Sequence, residues 1–136
     1  MPVRSEYLVA WGECDAAGIV YFPKFFNFMD LTFQALMHKG GYSHRGLQDD
    51  LNVRLPIIDT GAKFSSPISF EEKLVVEADV VHWGTKSFRI QYKGTREGMP
   101  VFEGHEVRVW AAIAQDGSIT TAAIPLAFKD AISAAR

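Results

Sequence analysis

One helix sets the terms for this chain, because almost every side of it is apolar. At roughly 100° per residue, Phe22, Phe25, Phe26, Met29, Phe33, Leu36 and Met37 fall on one broad face that Phe28 and Ala35 extend. Lys24, Asn27, Gln34 and His38 line a narrower polar stripe, and Asp30 sits at the edge between stripe and apolar face. Such a helix must have something wrapped around it, and a curved sheet does this where a flat protein surface does not. Its limits are also written locally. Pro23, with a fixed φ and no N–H, suits the first helical position, and Gly40-Gly41 ends the run by backbone permissiveness. The sequence predicts a helix over residues 22–39.

The wrapping has to come from the rest of the chain, which is strand-rich. Ser5–Trp11 reads as a first strand with Tyr7, Val9 and Trp11 on one face. Val53–Phe64, Leu74–Trp83, Lys86–Lys93, Val101–Ala114 and Ser118–Ala122 follow, punctuated at Ser65-Ser66-Pro67, Gly84, Glu97-Gly98 and Asp116-Gly117. Phe88, Ile90 and Tyr92 alternate with Ser87, Arg89 and Gln91, the pattern of an antiparallel sheet with one dry face. Tyr42–Leu51 reads as a short helical turn at an exposed rim, and Pro125–Arg136 as a short closing helix. With 136 residues the chain has the length of one domain and no linker composition divides it. The expected fold class is α+β: a single domain over 1–136 whose curved antiparallel sheet of five or six strands wraps one long central helix.

Charge and cysteine content narrow the function. A formal net charge of −2 with no basic run argues against nucleic acid or a membrane surface as the main partner, leaving small molecules or proteins. The single cysteine, Cys14, permits no internal disulfide, and MPVRSEYLVA lacks the apolar core of a signal peptide, so a cytoplasmic location is expected. No apolar run reaches the roughly 18 residues of a membrane span. His38, His44, His82 and His105 show no metal-ligand spacing, no G-x-S-x-G elbow is present, and no metal or prosthetic group is expected.

Chemistry concentrates just ahead of the helix, in WGECDAAGIVYFP, residues 11–23. Asp15 precedes Ala16-Ala17-Gly18, a small-residue turn in which the chain can reverse sharply. Seven residues on, the first N–H groups of the helix lack intrahelical acceptors and carry the positive end of its dipole, so they can face an anion or a polarised carbonyl. By this local reasoning the N–H groups of Phe22, Lys24 and Phe25 are equal candidates. A structural alternative for Asp15 is an Asx-turn or capping role.

The run Glu13-Cys14-Asp15-Ala16-Ala17-Gly18-Ile19-Val20-Tyr21-Phe22-Pro23 resembles the active-site signature of hotdog-fold acyl-CoA thioesterases, in particular the 4-hydroxybenzoyl-CoA thioesterase family. The resemblance continues through Asp30, Leu55-Pro56-Ile57, Trp83 and Lys86-Ser87-Phe88, so it spans most of the chain in order. It implies hydrolysis of an acyl-CoA thioester, 4-hydroxybenzoyl-CoA being the type substrate, with coenzyme A part of the substrate rather than a cofactor. Asp15 is then the nucleophile or general base, and the Phe22 N–H the donor that polarises the carbonyl. Asp30 matches the acid that faces the substrate phenol, Leu55, Pro56 and Ile57 the pantetheine path, and Lys86 and Ser87 the nucleotide contacts. Arg45 departs from the family, which has an aromatic residue at that coenzyme contact. The resemblance also implies a homo-oligomer, dimer or tetramer, that completes its site across a two-fold axis.

Three other functions compete: a broad short-chain acyl-CoA thioesterase, a hydratase on the same fold, and a non-catalytic acyl-CoA-binding module. Hydratases of this fold rely on a histidine in or near the central helix, and His38 lies at its far end. A binding module has no use for Asp15.

Overall fold

A computed structural model of the protein describes residues 2–135; the last residue of the expected closing helix, Arg136, lies outside them. The described residues form eight strands and three helices. Strand β1 (Val3–Leu8) leads through a 3-10 turn (Trp11–Glu13) to the central helix α1 (Lys24–Lys39) and the short α2 (His44–Leu51). Then come β2 (Val53–Arg54), β3 (Ile57–Phe64), β4 (Lys73–Trp83), β5 (Ser87–Arg96), β6 (Met99–Val109), β7 (Ala111–Ile113), β8 (Ile119–Thr121) and the closing α3 (Leu126–Ala134). Every strand pairing is antiparallel. The main sheet has five strands in the order β1-β4-β5-β6-β3, and β2-β7-β8 make a second, smaller sheet.

The main sheet wraps α1 as its apolar surface requires. Phe25, Phe28, Met29, Phe33, Leu36 and Met37 are buried against the inward row of the sheet, which includes Leu74, Val76, Ala78, Phe88, Ile90 and Phe102. Each of these side chains except Ala78 contributes roughly 1.5–3 kcal/mol by leaving water. Thr32, also buried, bonds the Tyr7 hydroxyl of β1 at 2.8 Å and returns its own proton to the Phe28 carbonyl at 2.7 Å. The ring of Phe102 packs against Gly94 of the neighbouring strand, where a Cβ would stand 2.2 Å from the ring. At the far end Phe128 of α3 plugs the sheet among Trp83, Phe88, Trp110 and Tyr42, with ring centroids 5.0–6.1 Å away.

This is the expected hotdog arrangement, with instructive differences. The central helix has 16 residues and starts at Lys24, so Phe22 precedes it and is 57% exposed instead of joining the buried face. The first strand stops at Leu8, and Trp11 stands on the 3-10 turn, 75% exposed, not on the dry face with Tyr7 and Val9. The single strand expected over 53–64 is broken at Leu55-Pro56, and that over 101–114 is broken at Trp110. Those two breaks create the second sheet. No described helix is long and apolar enough to cross a membrane.

Candidate active site

The loop that carries Asp15 is clamped by its own backbone. Cys14 bridges Val20, the Asp15 N–H donates to the Ile19 carbonyl at 2.9 Å, and the Gly18 N–H returns to the Asp15 carbonyl at 3.0 Å. Gly18 closes this turn at φ +80°, in the left-handed region that glycine enters without strain. The Ser69 hydroxyl donates to the Gly18 carbonyl at 2.6 Å and ties the turn to the loop before β4. Within this frame one carboxylate oxygen of Asp15, Oδ1, accepts the Ala17 N–H at 2.8 Å, an Asx-turn. The other oxygen meets no donor among the described residues. The exposed Asp15 borders a small cavity of about 90 Å³ walled by Cys14, Gly18 and the Trp11–Phe70 ring pair, whose centroids are 4.7 Å apart.

The helix start separates the three candidate donors. Lys24 N–H bonds the Tyr21 carbonyl at 2.8 Å, Phe25 N–H the Phe22 carbonyl at 3.2 Å and Phe26 N–H the Pro23 carbonyl at 3.1 Å. Pro23 has no N–H to offer. The Phe22 N–H therefore stands as the one donor of this turn without a backbone acceptor among the described residues. Beside it opens an apolar groove of about 460 Å³ lined by Val20, Phe22, Phe25, Phe64, Pro67 and Ile68.

Asp30 lies further along α1, one turn beyond Phe26 at i+4 spacing. It is not alone there. Its Oδ1 accepts Arg108 Nη2 at 2.8 Å, and its Oδ2 accepts Gln34 Nε2 at 2.9 Å. Arg108, on β6, also donates to Glu106 Oε1 from Nε at 3.0 Å and to the Leu55 carbonyl from Nη1 at 3.0 Å, and its guanidinium sits 4.3 Å from the centre of the Phe33 ring. The Tyr92 hydroxyl donates to the same Glu106 oxygen at 2.6 Å. Tyr92, Glu106 and Arg108 are all buried. Burial works against the Arg108 charge, but Glu106 and the Asp30 hydrogen bond outweigh it and hold its pKa above the usual value. Burial and then the Glu106 charge push the Tyr92 phenol well above its usual range. Burial and the Arg108 charge, against the pull of Asp30, lower the imidazole of His44 at the start of α2.

The remaining candidates gather at the opposite end of the sheet. Ile57 and Phe88 flank Arg108 in one rung, the Val109 N–H bonds the Pro56 carbonyl at 3.1 Å, and the Trp110 N–H bonds the Lys86 carbonyl at 2.8 Å. Leu55 is buried in the core, whereas Pro56, Ile57 and Lys86 are exposed and Ser87 is half-buried at the start of β5. Asp15 and Phe22 belong to the other end, where β1 meets the start of β4. Between the two ends runs the whole of β4, 11 residues or roughly 30 Å. One chain thus joins Asp30 to Leu55 through Arg108 but does not bring Lys86 to Asp15.

Sequence reasoning missed Tyr92, Glu106 and Arg108. A signal was present: strand alternation puts Glu106 and Arg108 on the same inward parity as Phe102, so two charges were bound for the core.

Comparison with known proteins gives this architecture a family. The family model of the Thioesterase-like superfamily matches residues 9–132. Among curated proteins, the chain is 28% identical over 121 residues to a 4-hydroxybenzoyl-CoA thioesterase of Pseudomonas sp. strain CBS-3, covering 80% of this chain and 82% of that one. It is 26% identical over 99 residues to a 1,4-dihydroxy-2-naphthoyl-CoA hydrolase of Synechococcus elongatus, covering 72% and 73%. Among solved structures, a gentisyl-coenzyme A thioesterase superposes with a TM-score of 0.83 at 25% identity, covering 93% of this chain and 98% of that one. The chain belongs to the Thioesterase-like superfamily and is an enzyme of the thioesterase class.

Proposed function

We propose that this protein hydrolyses a hydroxylated aryl-CoA thioester, of which 4-hydroxybenzoyl-CoA is the type, to the free acid and coenzyme A. The observation that carries the reading is the free N–H of Phe22, just ahead of α1, together with the carboxylate of Asp30 on that helix. From Lys24 to Asp30 the helix rises about 9 Å, and the turn of Phe22 and Pro23 stands ahead of it. The relatives' names point the same way: both curated relatives act on CoA esters of hydroxylated aromatic acids.

In this reading the Phe22 N–H takes the thioester carbonyl oxygen and strengthens its hold as negative charge grows there. The free oxygen of Asp15 either attacks the carbonyl carbon, giving a mixed anhydride that water opens, or removes a proton from the attacking water. Both routes end with water's oxygen on the acyl carbon, the C–S bond broken and the sulfur leaving as the CoA thiol. The apolar groove beside Phe22 keeps bulk water from the acyl group.

A second copy supplies what one chain lacks. β3 is an edge strand with Ile57, Ile58 and Phe64 exposed, a hazard unless it is paired. Pairing it with its own two-fold mate sets the Ile57 end of one copy beside the Phe64 end of the other. Lys86 of the partner subunit then approaches Asp15 and offers a point charge to the nucleotide phosphates. The lone free cysteine suits a reducing compartment such as the cytoplasm.

The test is a hydrolysis panel on purified protein, following thiol release from 4-hydroxybenzoyl-, benzoyl-, butyryl- and palmitoyl-CoA. A hydrogen bond to a charged group is worth about 1.5–3 kcal/mol, so kcat/KM for the hydroxylated ester should exceed that for benzoyl-CoA by roughly 10- to 150-fold. Best turnover on butyryl-CoA would assign the protein to the short-chain group instead.

A further inference from the structure

The cluster beneath α1 does not balance its charges. Two carboxylates, Asp30 and Glu106, face one guanidinium, and among the described residues no second cation bonds to either. His44, whose ring centre lies 6.0 Å from that of Phe33, has its pKa lowered by burial and by the Arg108 charge. Glu106 is sealed in, bonded by Tyr92 and Arg108, so the surplus negative charge has a single outlet. That outlet is the side chain of Asp30, 42% exposed against 4% for Arg108 and 2% for Glu106. The guanidinium cannot swing away from it, because Glu106, the Leu55 carbonyl and the Phe33 ring hold the other edges of the fork. Nor is the cluster an economical way to fill a core, since a buried ion pair is seldom more stabilising than apolar residues of the same volume.

We propose that Arg108, braced by Glu106, is a positioning residue for substrate selection: it fixes the Asp30 carboxylate as an oriented acceptor, so the acyl pocket takes a ring bearing a neutral hydroxyl and rejects one bearing an anionic group. This rests on the aryl-CoA reading above and adds to it. Arg108 touches no substrate itself. A donor on the ring completes the shell of Asp30, which already accepts one bond on each oxygen, whereas a ring carboxylate meets the surplus negative charge head-on.

The experiment measures a ratio, kcat/KM for 4-hydroxybenzoyl-CoA over that for benzoyl-CoA, together with turnover of 4-carboxybenzoyl-CoA. Two variants keep it informative if one folds poorly. Arg108→Lys retains the charge without the fork, and Glu106→Leu/Arg108→Met removes the pair in favour of apolar volume. Each is also made in an Asp30→Asn background. The ratio should fall about tenfold in both variants, and the same changes should lower it no further once Asp30 is Asn. The wild type should turn over 4-carboxybenzoyl-CoA more slowly than benzoyl-CoA. A ratio within threefold of wild type in both variants, whatever happens to the melting temperature, would make Arg108 a structural residue only. So would an equal fall in the Asp30→Asn background. A wild type that hydrolyses benzoyl-CoA as fast as its hydroxylated analogue overturns this selectivity but leaves aryl-CoA hydrolysis standing; one that hydrolyses no aryl-CoA overturns both.

Discussion

Asp15→Asn separates chemistry from architecture because of how the carboxylate is divided. Oδ1 serves the Asx-turn to Ala17, and asparagine presents an oxygen in the same place; Oδ2 meets no donor among the described residues. The other bonds of the loop, from Asp15 N–H to Ile19, from Gly18 N–H to Asp15 and from Ser69 to Gly18, involve no side-chain atom of Asp15. Stability should therefore move by no more than about 0.5 kcal/mol, the scale of a surface substitution, or a Tm change of about 3 °C. Removal of a nucleophile or general base, by contrast, raises the barrier by about 3–5 kcal/mol, a loss of 10²- to 10⁴-fold in kcat. The Phe22 N–H remains, so some turnover should persist. Inhibition by free coenzyme A should be unchanged, because among the described residues the Asp15 side chain bonds Ala17 and not Lys86, Leu55, Pro56 or Ile57, the residues proposed to hold the coenzyme. The assay is kcat, CoA inhibition and thermal melting on the same preparations. If the variant melts and binds CoA as the wild type does and still turns over within tenfold of it, Asp15 is a turn residue and the mechanism is wrong.

Three further outcomes follow from other parts of the structure. Gly94→Ala places a Cβ 2.2 Å from the buried Phe102 ring, so it should cost about 1–3 kcal/mol, read as a lower urea midpoint; an unchanged midpoint would mean the ring has room to move. The depressed pKa of His44 means that the unfolded chain takes up its proton first as pH falls. Its contribution is thus present above about pH 6.5 and declines below, and His44→Gln should flatten the fall in Tm between pH 6.5 and 5. Light scattering at micromolar concentration should give at least a dimer, and Ile58→Lys on the β3 edge should shift it toward the 15.2 kDa monomer; a wild type that is already monomeric removes the shared-site geometry.

Much of the fold could be read because its main signals are local and repeated. The apolar faces of α1 and the alternation of Phe88, Ile90 and Tyr92 each state a period, and each was followed by the structure. What escaped were the places where one residue's hydrogen bonding overrides a period. Val9 ends β1 by exchanging bonds with Glu71 and Glu72, which turns the chain before Trp11 can continue the strand. Pro56 has no N–H to give a ladder, and Trp110 gives its own to Lys86, so two long apolar runs each break and their fragments pair as the second sheet. Such partners are distant in sequence, and no window of ten or fifteen residues contains them.

The candidate site divides along the same line. Asp15 and the helix start lie within one continuous stretch, where a turn glycine, a proline and a carboxylate at fixed spacing state their relation directly. Asp30 could be seen as an acid at the edge of an apolar face, but not what holds it: Arg108 is 78 residues away and reaches it only because β6 lies under α1. The inward parity of Glu106 and Arg108 was visible as two charges on a dry face. A buried charge demands a partner, yet parity alone does not say which residue on the covering helix will be that partner. Nor does it say whether the balance will close. It does not close here, and the side chain of the cluster left most exposed to solvent is Asp30. On the proposed reading, the charge imbalance inside the core and the hydrogen-bond acceptor at Asp30 are one feature, and a preference for a hydroxylated ring would follow from the way the sheet closes on its helix.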